Sequence, residues 1–179
     1  MCEHDQKGVT LWFTGLPCSG KSAVADRVAE ILKDRGYRVE RLDGDIVRQS
    51  LTRDLGFSKE DRDENIRRVT FVAKLLTRND VFVLTSFISP YRDIRAQARE
   101  EIGSFLEIYT KCPLEVCIQR DTRGMYKKAM EGKIKEFTGI SDPYEEPLNP
   151  EILLETDRET LEESTAKVLA RLKELEYLE

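Results

Sequence analysis

The sequence predicts an α/β domain in which a parallel sheet is flanked by helices. Apolar runs that are typical of strands alternate with helical patterns along the chain, and a glycine-rich segment separates the first strand from the first helix. No internal repeat, low-complexity tract or linker interrupts this alternation. A length of 179 residues suits one domain with a full core. We assign residues 9–179 to this domain and expect residues 1–8, which are mostly polar, to form a flexible tail.

The first half of the chain supplies three strands and three helices. The first helix carries Val24, Val28 and Ile31 at helical spacing and ends before Gly36. Ser58 is the expected cap of the long third helix. The third strand is almost entirely apolar, which is typical of a strand covered on both faces. The predicted strands are residues 9–14, 37–42 and 81–87, and the helices are residues 21–35, 46–51 and 59–78.

The second half completes a five-stranded parallel sheet and adds a long charged segment. We predict strands at residues 105–110 and 152–154 and helices at residues 93–102, 113–119 and 159–175. Residues 120–150, between the last two strands, are rich in lysine and arginine and contain three glycines and three prolines. This composition is typical of a mobile lid, and we expect a basic lid over about residues 120–150.

Composition narrows the class of partner. The net charge of −5 argues against binding to nucleic acid or to a membrane surface. No apolar run approaches the ~18 residues of a membrane span and no signal peptide is visible, so we expect a cytoplasmic protein with reduced cysteines. Basic residues nevertheless cluster around residues 62–68 and 120–135. These clusters fit a small anionic substrate, although solvated helix faces would give the same pattern.

Residues 15–22 form a phosphate loop of the pattern G-x-x-x-x-G-K-[ST], placed between a strand and a helix. In such a loop the backbone N–H groups and the helix N-terminus face phosphate oxygens. We expect Lys21 to reach the β- and γ-phosphates of ATP and the Ser22 hydroxyl to bind Mg²⁺. A glycine-rich turn without a ligand is the structural alternative. The predicted ATP-binding residues are Gly15, Leu16, Pro17, Cys18, Ser19, Gly20, Lys21 and Ser22.

Three classes of protein share this loop, and the rest of the sequence favours one of them. A GTPase needs an N-K-x-D motif, which is absent, and a motor or AAA-type ATPase needs a strand that ends in acidic residues. A small-molecule kinase needs acidic residues after the second strand and a basic lid. Asp43 and Asp45 follow the second strand, and either could hold Mg²⁺ through water or accept a proton from the substrate hydroxyl. A plain turn is the alternative for this pair.

Longer motifs resemble the adenylylsulfate kinases, which use ATP to phosphorylate the ribose 3′-hydroxyl of adenosine 5′-phosphosulfate (APS) and release 3′-phosphoadenosine 5′-phosphosulfate (PAPS) and ADP. The resemblance runs from about residue 8 to the end of the chain. It rests on GLPCSGKS at 15–22, LDGDIVR at 42–48, LGFSKEDRDENIRR at 55–68, SFISPYR at 86–92, GMYKKAMEGKIKEFTGI at 124–140 and DPYEEP at 142–147.

The resemblance implies roles for individual residues. Lys21, Asp45 and Ser89 are the implied catalytic residues, and Ser89 matches a serine that is commonly marked as a phosphoserine intermediate in bacterial members. Direct in-line transfer needs only Lys21, Asp45 and Mg²⁺. The residues implied to bind APS are Asp45, Arg48, Phe57, Arg62, Asn65, Ile88, Ser89, Arg123 and Phe137. Phe57 and Phe137 could sandwich the adenine ring, and the arginines suit phosphosulfate oxygens.

Five positions in three places depart from the family pattern. Residues 17–19 read Pro-Cys-Ser where many members have Ser-Gly-Ala, Arg123 replaces a lysine, and Glu136 replaces a common glycine. The resemblance also implies a free-standing homodimer with a functional link to ATP sulfurylase. Two alternatives stay open: another small-molecule kinase of the same fold, and a nucleotide-binding regulatory partner of ATP sulfurylase.

Overall fold

A five-stranded parallel sheet forms the centre of the molecule, as predicted. The computed structural model describes residues 6–179. The strands lie in the order β2-β3-β1-β4-β5, and every pairing is parallel. The strands are β1 (Val9–Thr14), β2 (Val39–Asp43), β3 (Phe82–Ser86), β4 (Phe105–Lys111) and β5 (Ile152–Glu155).

Helices cover both faces of this sheet. The Ser58 hydroxyl caps α3 by accepting from the Asp61 N–H at 3.2 Å, and Thr160 and Glu163 form a capping box at the start of α7. The helices are α1 (Lys21–Asp34), α2 (Gly44–Val47), α3 (Lys59–Thr77), α4 (Arg92–Ile102), α5 (Leu114–Gln119), α6 (Met125–Met130) and α7 (Leu161–Glu174).

Two helices differ from the sequence prediction. The short helix expected at residues 46–51 lies at Gly44–Val47, because the Asp43 carboxylate accepts from the Asp45 N–H and starts the helix two residues earlier. The helix α6 was not predicted, and it lies within the segment that we expected to be a lid.

The core has one large cluster on each face of the sheet and a third, smaller cluster. The cluster beneath α1 and α7 consists of aliphatic and aromatic side chains, and Leu32 and Leu172 are fully buried there. On the other face, Trp12 packs against α3 and α4. The third cluster joins Cys112, Cys117 and Tyr126, with Phe137 packed against it. It therefore attaches α6 and the end of the lid segment to α5.

The amino-terminal segment and the cysteines can be placed only in part. Of the expected tail at residues 1–8, residues 1–5 (with Cys2 and His4) lie outside the described residues, whereas Gln6 is buried and exchanges two hydrogen bonds with the backbone of Arg38. Cys18, Cys112 and Cys117 are free thiols. None of the helices within residues 6–179 has the length and apolar character needed to cross a membrane.

Candidate active site

The carboxyl ends of the parallel strands bring the predicted residues to one cavity of about 490 Å³. The loop after β1 lies at one end of this cavity, and the loop after β3 and the lid segment form its other walls. The predicted residues that line it are Pro17, Cys18, Lys21, Ser22, Asp43, Asp45, Arg48, Phe57, Arg62, Asn65, Ile88, Ser89, Arg123 and Phe137. Gly15, Ser19 and Gly20 lie behind it in the loop, and Leu16 faces a neighbouring cavity of about 580 Å³.

The phosphate loop has a backbone that few residues other than glycine can adopt. Gly15 and Gly20 have φ values of 151° and 96°, and Cys18 has a φ of 61°. A Cβ at Gly15 would lie 2.4 Å from the Thr110 carbonyl oxygen, so a side chain is excluded there. The Ser19 carbonyl accepts from the Thr156 hydroxyl at 2.7 Å, which ties the loop to the segment after β5.

Lys21 is buried against its own loop. Its Nζ donates to the carbonyl oxygens of Gly15 at 3.0 Å and Leu16 at 2.7 Å. Burial lowers the pKa of this ammonium from its ordinary value of 10.5 to about 8. The loop therefore holds a partly desolvated cation among backbone groups, where an anionic oxygen would be strongly stabilised.

Oxygen atoms that fit Mg²⁺ meet beside the loop. The Ser22 hydroxyl donates to the Asp43 carboxylate at 2.7 Å, and Ser86 pairs in register with Asp43 on the neighbouring strand. The Ser86 Oγ is buried and has no hydrogen-bond partner among the described residues. Hydroxyl and carboxylate oxygens are suitable Mg²⁺ ligands, and this ion commonly takes only one or two protein ligands together with phosphates and water. Within residues 6–179, no group of three or more histidine, cysteine or acidic residues could hold a metal ion.

The carboxylate of Asp45 contacts the lid segment, whereas its backbone N–H donates to Asp43 in this oxygen cluster. Its Oδ2 accepts from Arg123 Nη1 at 2.9 Å, and both side chains are largely exposed. An exposed pair of this kind contributes little to stability and exchanges readily. Asp45 is therefore accessible from the cavity, with a cation of the lid beside it.

Two phenylalanines from different segments of the chain line the same cavity. Phe57, which is 60% exposed, lies between α2 and α3, and the Arg48 guanidinium lies 4.4 Å from its ring centroid. Phe137 belongs to the lid segment and packs edge-on against Tyr126, with ring centroids 5.0 Å apart. The cavity is thus lined by aromatic side chains from two separate segments, which suit a planar ring.

Arg62 joins α3 to the lid segment. Its Nε donates to the Phe57 carbonyl at 2.7 Å and its Nη1 to the Thr138 hydroxyl at 2.7 Å. Its Nη2 contacts the Glu136 carbonyl and lies 2.8 Å from the Asp142 carboxylate. A ligand that used this guanidinium would have to replace some of these bonds. The neighbouring Asn65 accepts from the Thr52 hydroxyl through its Oδ1 at 2.8 Å.

Ser89 is buried, and its hydroxyl contacts the sheet. The Oγ accepts a hydrogen bond from Trp12 Nε1 at 3.0 Å, and the residue has a φ of 39°. The carbonyl of the preceding Ile88 accepts from the Thr14 hydroxyl at 2.7 Å. The loop after β3 is thus fixed to β1 by side chains of the strand.

Several residues at or beside the cavity were not among the predicted site residues, and Ser86, Arg95, Tyr126 and Thr138 are four of them. The Tyr126 hydroxyl donates to the Pro17 carbonyl at 2.8 Å and so connects α6 to the phosphate loop. Ser86, Tyr126 and Thr138 lie inside stretches that carry the family resemblance, which was the signal available for them. Arg95 follows those stretches and carried no local signal.

Comparison with known proteins agrees with this geometry. The family model described as adenylylsulphate kinase matches residues 7–155. The adenylyl-sulfate kinase of Halothermothrix orenii is 63% identical over 175 residues, which cover 98% of this chain and 95% of the relative.

Two solved structures extend the comparison. The APS kinase of Mycobacterium tuberculosis, in complex with AMPPNP and APS, is 43% identical with a TM-score of 0.90, over 94% of this chain and 99% of that one. A hexameric APS kinase from Thiobacillus denitrificans is 34% identical with a TM-score of 0.76, over 98% of this chain and 30% of that one.

Proposed function

The chain belongs to the adenylylsulphate kinase family, and we propose that it transfers the γ-phosphoryl group of ATP to the ribose 3′-hydroxyl of APS, giving PAPS and ADP. One observation carries this proposal. A single cavity is lined by the phosphate loop, by Asp45 and by two phenylalanines from different parts of the chain, Phe57 and Phe137. This is the arrangement needed to place a nucleotide hydroxyl in line with a terminal phosphate.

On the donor side, the loop binds the phosphates of ATP and Lys21 neutralises the charge that develops on the γ-phosphoryl group. Ser22, with Asp43 directly or through water, would hold Mg²⁺, which when bound bridges and neutralises phosphate oxygens. The hydrogen bond between Ser22 and Asp43 supports this assignment because it places both oxygen donors together. Lys21 exchanges its bonds to the loop carbonyls for bonds to phosphate oxygens.

On the acceptor side, Phe57 and Phe137 stack on the adenine ring, and Asp45 orients the 3′-hydroxyl and accepts its proton. Arg123, which pairs with Asp45, transfers its bond to the substrate or to the transferred phosphoryl group. The arginines at the cavity wall suit the phosphosulfate oxygens. We assign APS binding to Arg48, Phe57, Arg62, Asn65, Ile88, Ser89, Arg123 and Phe137, together with Asp45.

We propose direct transfer to the ribose, without a phosphoserine. The buried Ser89 hydroxyl accepts from Trp12, and a phosphorylated serine would need to leave this position. Ser89 then acts by shaping the acceptor side of the cavity. Acid-stable phosphate on Ser89 after incubation with ATP alone, lost on adding APS, would contradict direct transfer.

The oligomeric state, the cellular location and the source of the substrate are also proposed. We propose a homodimer that acts in the cytoplasm, with residues 120–150 as a mobile lid and with ATP sulfurylase as the functional source of APS. Light scattering on the purified chain measures the assembly, and a hexamer would reject the dimer. The regulatory alternative requires little turnover by the chain alone. Turnover measured with and without added ATP sulfurylase tests this alternative.

The activity is tested by measuring ADP release from Mg·ATP with APS, shikimate, gluconate, adenosine and AMP side by side. We expect turnover with APS alone, and mass spectrometry should find PAPS. Turnover with gluconate or shikimate would move the chain to another class of small-molecule kinase. Release of ADP without any acceptor would show hydrolysis and reject the proposed transfer.

A further inference from the structure

We propose that Arg95 is a positioning residue for the acceptor substrate, because it fixes the loop after β3 to the carboxyl-terminal end of the lid segment. Arg95 lies on α4 and does not line the cavity. Its effect on the reaction would pass through Ser89 and through residues 144–146. The assignment of these groups to the acceptor side rests on the proposed function.

The guanidinium of Arg95 has three partners on three separate elements. Its Nη1 donates to the Ser89 carbonyl at 2.6 Å, its Nη2 to the Glu145 carbonyl at 2.7 Å, and its Nε to the Glu107 carboxylate at 2.7 Å. The residue is only 2% exposed. A planar group with five fixed donors can satisfy acceptors in three directions, which a lysine cannot do with the same geometry.

The loop after β3 needs such support. Ser89 has a φ of 39°, a left-handed conformation that persists only where neighbouring groups hold it. Arg95 holds its carbonyl, and Trp12 holds its hydroxyl. Ile88 and Ser89 both line the cavity, so a change in this backbone alters the acceptor wall directly.

The same guanidinium holds the end of the lid segment against this loop. The Glu145 N–H donates to the Pro90 carbonyl at 2.8 Å, and the Arg92 N–H donates to the Glu145 carboxylate at 2.7 Å. Arg92 Nε also donates to the Glu146 carbonyl at 2.7 Å. Residues 145–146 and 90–92 are therefore one connected unit.

A purely structural role for Arg95 would be to attach α4 to β4 through Glu107. Arg99, one turn further along α4, already has that role and serves as a matched control. It forms two bonds of 2.7 Å with the Glu151 carboxylate and lies 3.7 Å from Glu107. Within residues 6–179, the Arg99 guanidinium contacts Glu151, Glu107 and Phe105, and none of these lies in the loop after β3 or in residues 144–146.

The test compares the double variant R95M/E107L with the single variant R99M in steady-state kinetics. Replacing both members of a buried ion pair avoids leaving an unpaired buried charge. We expect the double variant to raise KM for APS about tenfold or more, since two charge-assisted hydrogen bonds to the acceptor loop and lid are lost, with KM for ATP within about twofold of wild type. R99M should leave both KM values unchanged, and R95K should be intermediate.

Amide hydrogen exchange supplies a readout that needs no substrate. Exchange at residues 87–91 and 144–146 should accelerate together in R95M/E107L and R95K and stay at the wild-type rate in R99M. Equal changes in KM for ATP and APS, or equal exchange in the Arg95 and Arg99 variants, would overturn the proposal. A wild-type chain that does not turn over APS would reject the proposed function instead, and the exchange data would still decide whether Arg95 couples the two segments.

Discussion

The two ends of the cavity are built in different ways. The phosphate loop of the donor end is eight consecutive residues, and the bonds of Lys21 return to carbonyls only five and six positions away. Asp43, Tyr126 and Thr156 then attach this loop to distant parts of the chain. The acceptor end is assembled from α2, α3, the loop after β3 and the lid segment. Its bonds join residues 76 positions apart for Arg62 and Thr138 and 78 apart for Asp45 and Arg123. Local sequence therefore defines the donor end, whereas the acceptor end depends on the packing of the lid.

The largest effect is expected at the donor end. Lys21→Ala should reduce kcat by at least ~10²-fold, because the charge on the γ-phosphoryl group is no longer neutralised. Single-turnover assays with saturating ATP and APS measure the chemical step. Turnover close to that of the wild type would contradict the assignment of Lys21 to the donor site. It would also contradict the proposed difference between the two ends of the cavity.

A selective effect is expected at the acceptor end. Arg62→Ala should raise KM for APS about tenfold or more and leave the affinity for ATP within about twofold, because its charge-assisted bonds hold the lid on the acceptor side. Arg67→Ala is the control, since Arg67 lies on the same helix and pairs only loosely with Glu64 at 3.8 Å. Titration calorimetry with each nucleotide separates the two affinities. An equal loss for ATP and APS would place Arg62 outside the acceptor half.

The buried ammonium predicts a pH dependence that is confined to the donor end. The pKa of Lys21 is lowered to about 8 by burial, so above that pH a growing fraction of the free protein holds a neutral amine. Phosphates favour the ammonium, and ATP affinity should fall by about tenfold per pH unit above pH 8. The K21M variant should not show this dependence.

The same lysine makes the stability of the protein depend on pH in the opposite direction to its affinity for ATP. Because the folded-state pKa of Lys21 is below its ordinary value of 10.5, its contribution to the free energy of unfolding rises as the pH rises from 8 to 10.5. Denaturant unfolding at the same pH values distinguishes the two trends. A parallel loss of stability and ATP affinity would indicate alkaline unfolding instead.

The smallest effect concerns two positions that depart from the family pattern. The family resemblance implies glycine at the positions of Cys18 and Glu136, and the φ values of these two residues are 61° and 55°. Glu136→Gly should increase the free energy of unfolding by up to about 1 kcal/mol, because left-handed backbone is strained for a residue with a Cβ. Glu131→Gly, at a φ of −77°, should destabilise instead. Denaturant titrations compare the two.

The sequence predicted the sheet better than it predicted the lid. The strand β1 has the predicted bounds because its six residues are all buried and form one apolar run. The helix α6 was missed because only Tyr126 and Ala129 of its six residues are buried, which is too few to produce a periodic signal. The partners of Arg62 and Arg95 were also beyond prediction, since they lie far away along the chain and no spacing rule connects them.

Trp12 is the only tryptophan of the chain. Its position allows changes at the acceptor side of the cavity to be detected without an added label. Its indole lies between Phe87 and Phe105, with ring centroids at 6.2 and 5.5 Å, and its N–H is bonded to Ser89. Indole emission depends on the polarity and hydrogen bonding around the ring. Filling of the acceptor end can therefore be followed by intrinsic fluorescence in the unmodified protein, on the time scale of a single turnover.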